Sequence, residues 1–429
     1  MTKILIKGGR VIDPANRVDE ILDVLIENSK IAFVGKGLDS SGAHVIDATG
    51  KIVAPGLIDM HVHLREPGRE DEETIESGTL AAAKGGFTSI LCMPNTDPPG
   101  DHASVIEMIL EKAKAKGKIS VLTAGAITKN LKGEELAEMA DLATAGARAF
   151  TDDGNPIMNA EVMRRALEYT KMFNAPIISH PEDKNLSALG QMNEGYYSTL
   201  LGLKGIPGAS EEVMVARDLI LAEKSGGRLH LAHVSTKGSV DLVREAKKRG
   251  LKVTCEVAPH HFSLTDRELT TFDTNLKMKP PLRSQEDVLA LNQGLRDGTI
   301  DVIASDHAPH AAYEKEREFD YAPFGIIGLE TTLPLVLTKL VEEKVLSLSE
   351  ALAKLTVNPA KILNIARGEI SIGGRADVCV FDPQVKVKVD ANRIASKSRN
   401  SPFIGWELKG KVTHVVAGGN LVVDGGEVV

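Results

Sequence analysis

Cysteine is scarce in this chain. Only Cys92, Cys255 and Cys379 occur in 429 residues, an odd number, far apart and each inside an apolar run. A disulfide framework is thereby excluded, and buried free thiols in a reducing cytoplasm are expected. No stretch approaches the roughly 18 consecutive apolar residues that a membrane span needs. The N-terminal "MTKILIKGGRVIDP" has no room between its lysines for the apolar core of a signal peptide. Positive charge is not in excess either: 51 Lys and Arg face 59 Asp and Glu, a net charge of -8. Neither a nucleic acid nor an anionic membrane is expected as a partner of such a surface. Fixed-period repeats, low-complexity tails and a phosphate-cradling G-x-G-x-x-G after the first strand are also missing. What is present is ordinary for a soluble globular protein, 42% hydrophobic and 26% charged, and long enough for one large domain or two unequal ones.

Both ends of the chain are β-rich. "KILIKGGRVID", "DVLIEN" and "KIAFVGKG" open it, and "ADVCVFDP", "VKVKVD" and "KVTHVVAGGNLVVDGG" close it, punctuated by Gly, Asn and Asp. Neither end makes a comfortable sheet pair alone, so residues 1–54 and 369–429 are expected to form one small β-sandwich domain. The middle, residues 55–368, alternates short apolar runs with amphipathic stretches that often stop at Gly. Strands are expected at Leu57–His63, Ser89–Cys92, Ser120–Thr123, Ala147–Thr151, Pro176–Ser179, Leu229–His233, Lys252–Val257 and Val302–Ser305. Eight such strand–helix units predict an α/β fold, a (β/α)8 TIM barrel, with a doubly wound open sheet as the rival.

Polar residues gather at the ends of these strands. The first run, "GLIDMHVHLREPG", closes on His61 and His63, and in a strand residues i and i+2 point to one face with Cα atoms about 6.5–7 Å apart. Strand four ends on Asp152 and Asp153, strand five on His180, strand six on His233 and strand eight on Asp306. In a barrel, these ends share the catalytic rim. Singly, each has a plain explanation; a helix cap would account for Asp152. Together, four imidazoles and two carboxylates at one barrel mouth would be costly without a partner. Nitrogen and oxygen donors of this kind suit zinc or a similar divalent ion, and six exceed what one tetrahedral ion takes. Two metals sharing one carboxylate are therefore expected. His260 and His261 read as structural, and His44, His102 and His414 lie away from the rim.

The motifs "DMHVHLREPG", "GGFTSILCMPNT", "AFTDDG", "SHPED", "HVST", "SDHAPH" and "GRADVCVFDP" run over almost the whole chain. In combination they resemble the class I bacterial dihydroorotases of the amidohydrolase superfamily. The resemblance implies a zinc-dependent cytoplasmic enzyme that interconverts N-carbamoyl-L-aspartate and L-dihydroorotate in de novo UMP biosynthesis. It implies His61, His63, Asp153, His180, His233 and Asp306 as metal ligands, with two Zn2+ bridged by Asp153 and Asp306 also the catalytic acid–base. In related hydantoinases a carbamylated lysine holds the bridging place, whereas "GARAFTDDG" has no lysine there. His63, Arg65, Asn95, His310, Phe324 and Gly325 are implied as substrate contacts, Arg65 because its planar fork can pair a carboxylate. A surface ion pair of Arg65 with Glu66 or Glu70 is the plain alternative. In one departure, Lys279 of "KMKPPLR" stands where a substrate-contacting asparagine is common in the family. The charged segment Ala311–Ala322 reads as a flap or a solvated loop. The small-molecule substrate apart, the resemblance leaves open a homodimer or an association with aspartate transcarbamoylase. Another cyclic amidase, of hydantoinase or dihydropyrimidinase type, and a non-catalytic partner subunit remain the alternatives.

Overall fold

The computed structural model describes residues 3–429. The chain opens with β1 (Lys3–Asp13), β2 (Val18–Glu27), β3 (Lys30–Gly35), β4 (His44–Asp47) and β5 (Ile52–Pro55). It then runs through β6 (Leu57–Val62), β7 (Phe87–Cys92), β8 (Ser120–Gly125), β9 (Ala147–Phe150) and β10 (Ile177–Ser179). A two-stranded excursion follows, β11 (Met192–Asn193) with β12 (Gly205–Ile206), before β13 (Leu229–Leu231), β14 (Val253–Val257) and β15 (Val302–Ile303). The closing strands are β16 (Val378–Lys388), β17 (Glu407–Ala417), β18 (Asn420–Asp424) and β19 (Glu427–Val428).

Strands β6 to β10 and β13 to β15 pair side by side, all parallel and in chain order. The ends of this sheet meet as well. Val62 bridges in parallel to His307, and the His63 amide donates to the His307 carbonyl at 2.9 Å. The eight strands are thereby a barrel, and the open doubly wound sheet is excluded. Each expected strand is found within a few residues of its place.

Met60, Leu91, Ala124, Ala149, Ile178, Ala232, Val302 and Ala304 form one buried cluster, contributed from around the barrel and closed by Ile362 and Leu363. A larger cluster packs the outer faces of the strands against the helices. Those helices start where the sequence supplies caps. Thr74 and Ser77 make a capping box at Ile75–Lys84, and Asn159 accepts the first amides of Ala160–Tyr169. The helix Ala209–Ser225 stops at Gly226, whose φ of 68° is costly for a residue with a Cβ.

The strands of the two chain ends build the second sheet, in the order β19-β18-β17-β16-β5-β1-β2-β3 with β4 against β1. Ile4, Val24, Ile31, Val53, Val378, Val380 and Val416 fill its core, so residues nearly the whole chain apart share one apolar cluster. Gly56 links β5 to β6. A Cβ there would lie 2.1 Å from Thr88 Oγ1 on β7, so only glycine lets this link run so close to the barrel wall. The three cysteines are free and buried, and burial pushes each thiol up to about 12. Among the described residues, no helix is long and apolar enough to cross a membrane.

Candidate metal centre and substrate pocket

The four histidines and two aspartates meet at one end of the barrel. Asp153 is their hub. Its Oδ1 lies 3.3 Å from His61 Nε2, 3.4 Å from His180 Nδ1 and 3.7 Å from His233 Nε2, and its Oδ2 lies 3.4 Å from His63 Nε2. Asp306 Oδ1 is 3.5 Å from both His61 Nε2 and His63 Nε2. Two donors on one tetrahedral ion, each at about 2.0–2.1 Å, stand about 3.4 Å apart. The observed spacings are those of ligands around a common centre.

Three trios are close enough to hold an ion; two lie in this cluster, His61–His63–Asp306 and His61–Asp153–His233, and the third is Glu72–His310–Glu314. The first two share His61, and Asp153 reaches histidines of both. His61 Nε2 and Asp153 Oδ1 are buried without a hydrogen-bond partner. Buried acceptors left unpaired are expensive, and a cation between them would satisfy both. The residues present therefore fit a metal site.

Electrostatics agree with the geometry. Burial opposes the charge of His61, but Asp153, Glu256 and Asp306 hold its imidazole well above the ordinary value. Asp153 and Asp306 are held well below the usual carboxylate range by the surrounding histidines, against the cost of burial. His180 is raised to about 9 by Asp153 and Glu182, again against burial. The cluster is thus a buried group of carboxylates whose charge calls for cations.

The supporting residues fix which ring nitrogen faces inward. Glu256, on β14, accepts from His61 Nδ1 at 2.6 Å and from His230 Nε2 at 3.1 Å. Asn95 Oδ1 takes the Nδ1 proton of His63 at 2.9 Å, and Glu182 takes the Nε2 proton of His180 at 3.2 Å. Each leaves the opposite nitrogen as a lone-pair donor toward the centre. No local pattern in the sequence marks Glu182 or His230 as a support. A glutamate inside the apolar strand "VTCEV" was a usable signal, because a buried carboxylate needs partners. We expect Glu256→Gln to weaken metal affinity by about 10–100-fold. Titration of the metal-free protein with zinc against a competing chelator measures this, and unchanged affinity would show that Glu256 does not set the His61 ring.

Three residues here carry left-handed backbone. Arg65, His233 and Asp306 have φ values of 59°, 32° and 49°, in the left-handed region that residues with side chains avoid. Asp59 helps to impose this geometry, accepting from the His61 amide at 3.0 Å and from the Ser305 amide at 3.1 and 3.2 Å. It thus ties the ends of β6 and β15 together beside the ligands.

Beyond the ligands lies a second polar group. Arg65 is ion-paired, but with Glu72 at 2.9 Å rather than with Glu66 or Glu70, and its Nε also donates to the Pro309 carbonyl at 3.1 Å. Glu66 instead pairs with Lys112. His310 is held between Glu72, at 3.1 Å from Nδ1, and the Phe324 carbonyl, at 2.8 Å from Nε2, while Arg65 Nη2 is 3.4 Å from Nε2. Gly325 has φ 126°, and a Cβ there would lie 3.1 Å from His310 Nε2. Lys279 forms an ion pair with Glu182 at 2.7 Å and lies 5.1 Å from the Phe324 ring centroid. The departure from the family pattern therefore falls on a residue that leans on the support of His180.

Asp152 and His261 have structural partners. Asp152 is not a cap for the following helix. It accepts from the Ile127 and Thr128 amides at 2.8 and 3.0 Å and pins the loop after β8, while Asn159 caps the helix. His261 reaches the Pro280 carbonyl at 2.9 Å, and burial lowers it to about 4. His260 is buried without a partner for Nε2 and belongs to none of the trios. The segment Ala311–Ala322 lies docked: Phe319 is buried, Lys315 donates to the Pro323 carbonyl at 2.8 Å, and Tyr313 donates to Asp71 at 3.0 Å. A plain solvated loop does not describe it.

Residues 50–239 match the Dihydro-orotase-like family model, and residues 223–423 match the Amidohydrolase family model. Dihydroorotase from Pelotomaculum thermopropionicum is 57% identical over 421 residues, covering 98% of both chains. Dihydroorotase from Geobacter metallireducens is 55% identical over 420 residues, covering 98% of this chain and 99% of that one. Among solved structures, L-hydantoinase from Arthrobacter aurescens aligns with a TM-score of 0.91 at 28% identity, covering 100% of this chain and 98% of that one. Dihydropyrimidinase from Brevibacillus agri aligns with a TM-score of 0.88 at 25% identity, covering 100% and 96%. With relatives of this identity spanning its length, the chain belongs to the dihydroorotase family of the amidohydrolase superfamily.

Proposed function

We propose that this chain catalyses the dihydroorotase reaction, closing N-carbamoyl-L-aspartate to L-dihydroorotate in de novo pyrimidine biosynthesis. The observation that carries the reading is Asp153, whose two carboxylate oxygens face four histidines beside a pocket containing Arg65 and His310. His61, His63, Asp153, His180, His233 and Asp306 would hold two zinc ions, with Asp153 between them. When bound, such ions can lower the pKa of water from about 15.7 to about 7 and polarise the amide carbonyl.

The chain's own residues do the rest. Arg65, Asn95 and His310 orient the substrate through its free α-carboxylate, beside His63 and the Phe324–Gly325 turn. In ring opening, Asp306 accepts a proton from the attacking water and delivers it to the ring nitrogen as its bond to the carbonyl carbon breaks. In ring closure the same carboxylate removes a proton from the ureido nitrogen, which bonds to the side-chain carboxyl carbon as water departs. We assign residues 55–368 to the catalytic barrel and residues 1–54 with 369–429 to the β-domain, supported by the sheet that both chain ends share. The buried free thiols support action in the cytoplasm.

The hydantoinase alternative has the support of the solved neighbours, but an arginine and a histidine stand beside the cluster where an apolar wall would suit it better. A non-catalytic partner subunit would be expected to have lost ligands, whereas His or Asp fills all six candidate positions. The deciding experiment couples metal content by mass spectrometry to the absorbance change of dihydroorotate hydrolysis, with and without chelator. We expect bound zinc and turnover that a chelator removes and zinc restores. Activity indifferent to chelation, or turnover of hydantoins and not of dihydroorotate, would overturn the reading.

A further inference from the structure

Glu72 is a buried acid outside the ligand cluster that meets three basic side chains. Its side chain is 3% exposed, with Oε2 at 2.9 Å from Arg65 Nε and Oε1 at 3.1 Å from both Arg69 Nη2 and His310 Nδ1. Arg69 is clamped in turn by Asp71 at 3.0 Å and by Glu314 at 2.8 Å, the latter from the docked segment Ala311–Ala322. One carboxylate therefore grips Arg65 and His310, and Arg69 holds it from the outer side.

The consequence for Arg65 is geometric. Its Nε is engaged by Glu72 and the Pro309 carbonyl, Nη2 lies 3.4 Å from His310 Nε2, and among the described residues Nη1 has no hydrogen-bond partner. A guanidinium held by one edge presents the other as a fixed planar fork, the arrangement that pairs both oxygens of a carboxylate. An isolated arginine would attract anions by charge alone and would sample many orientations. Glu72 offsets that charge and fixes the plane, so geometry rather than net charge would select the ligand.

Resting on the reading of Arg65 and His310 as substrate contacts, we propose that Glu72 is the positioning residue for substrate-carboxylate recognition. It sets the Arg65 fork and the His310 ring, and Arg69 with Glu314 locks it in place. Glutamine cannot replace it. With one oxygen and one NH2 group, it must turn a donor toward either Arg65 or the Arg69–His310 side.

Steady-state kinetics of the metal-loaded Glu72→Gln enzyme in both reaction directions test this. We expect KM for dihydroorotate and for N-carbamoyl-L-aspartate to rise at least tenfold, with kcat within threefold and metal content unchanged. An unchanged or lower KM would overturn the proposal, the lower value meaning that Glu72 only neutralises charge. A parallel fall of kcat with loss of metal would overturn it as well, as the mark of a merely structural residue. Should Glu72→Gln not fold, Arg69→Gln on the exposed side of the same carboxylate takes its place. It is expected to raise KM severalfold at constant kcat, and an unmoved KM would count against the idea. Wild-type protein without dihydroorotate turnover would instead sink the functional reading itself, so the two failures are distinguishable.

Discussion

Replacing Asp306 by asparagine is expected to lower kcat by about 10²–10⁴-fold, the range of a lost general acid–base. The substitution keeps the shape of the side chain and removes its capacity to take a proton. Its neighbours explain the size of the effect. Oδ1 lies 3.5 Å from the ring nitrogens of both His61 and His63, and the left-handed φ of 49° aims the side chain from a single residue after Ser305. No other carboxylate in the cluster is placed to substitute, because Asp153 faces four histidines and Glu256 is spent on His61 and His230. Pre-steady-state and steady-state assays of the metal-loaded variant measure the effect, together with metal content. A variant that keeps its metal and its wild-type kcat would remove Asp306 from the chemistry.

The second large effect is expected at Asp153. Asp153→Ala should cost more metal affinity than the roughly 10–100-fold expected of an outer partner such as Glu256, because Asp153 is the one residue touching every histidine of the cluster. Its loss leaves four imidazoles without their common anion, so two ions would have to approach with no carboxylate between them to offset their repulsion. We expect the isolated variant to be essentially free of metal and inactive, and excess zinc to restore little. Metal analysis after dialysis and turnover across a zinc series check this. Wild-type zinc content in the variant would show that the site is built around another residue.

Much of the barrel is legible in the sequence. Strand β10 was expected at Pro176–Ser179 and is found at Ile177–Ser179; β9 was expected at Ala147–Thr151 and is found at Ala147–Phe150. Short β-branched runs between capped, amphipathic helices leave little choice, because each run must be covered on both faces. Expected strands tend to overrun at their functional ends, as in Val302–Ser305 against an observed Val302–Ile303. There the chain leaves regular pairing to aim Asp306 inward, and no local pattern encodes that departure.

The candidate ligands are readable because His and Asp are conspicuous where apolar strands end. Their supports are not, because each is defined by a partner far away in sequence. Glu256 meets His61 across 195 positions, and His310 meets Glu72 across 238. Asp152 shows the opposite error. A local rule offered a helix cap, but the carboxylate turned to loop amides at positions 127 and 128. Arg65 combined both situations: an ion pair was foreseeable, but its partner depended on how the following turn folds back.

The bridge from Val62 to His307 has a consequence for the growing polypeptide. The first barrel strand emerges from the ribosome early, yet its neighbour across the seam is among the last of the barrel to be made. A nascent chain stopped anywhere before that seam carries His61 and His63 with no Asp306, and an eighth of its wall is missing. Competence therefore arrives late and all at once during synthesis, and no shortened N-terminal fragment should inherit a fraction of it.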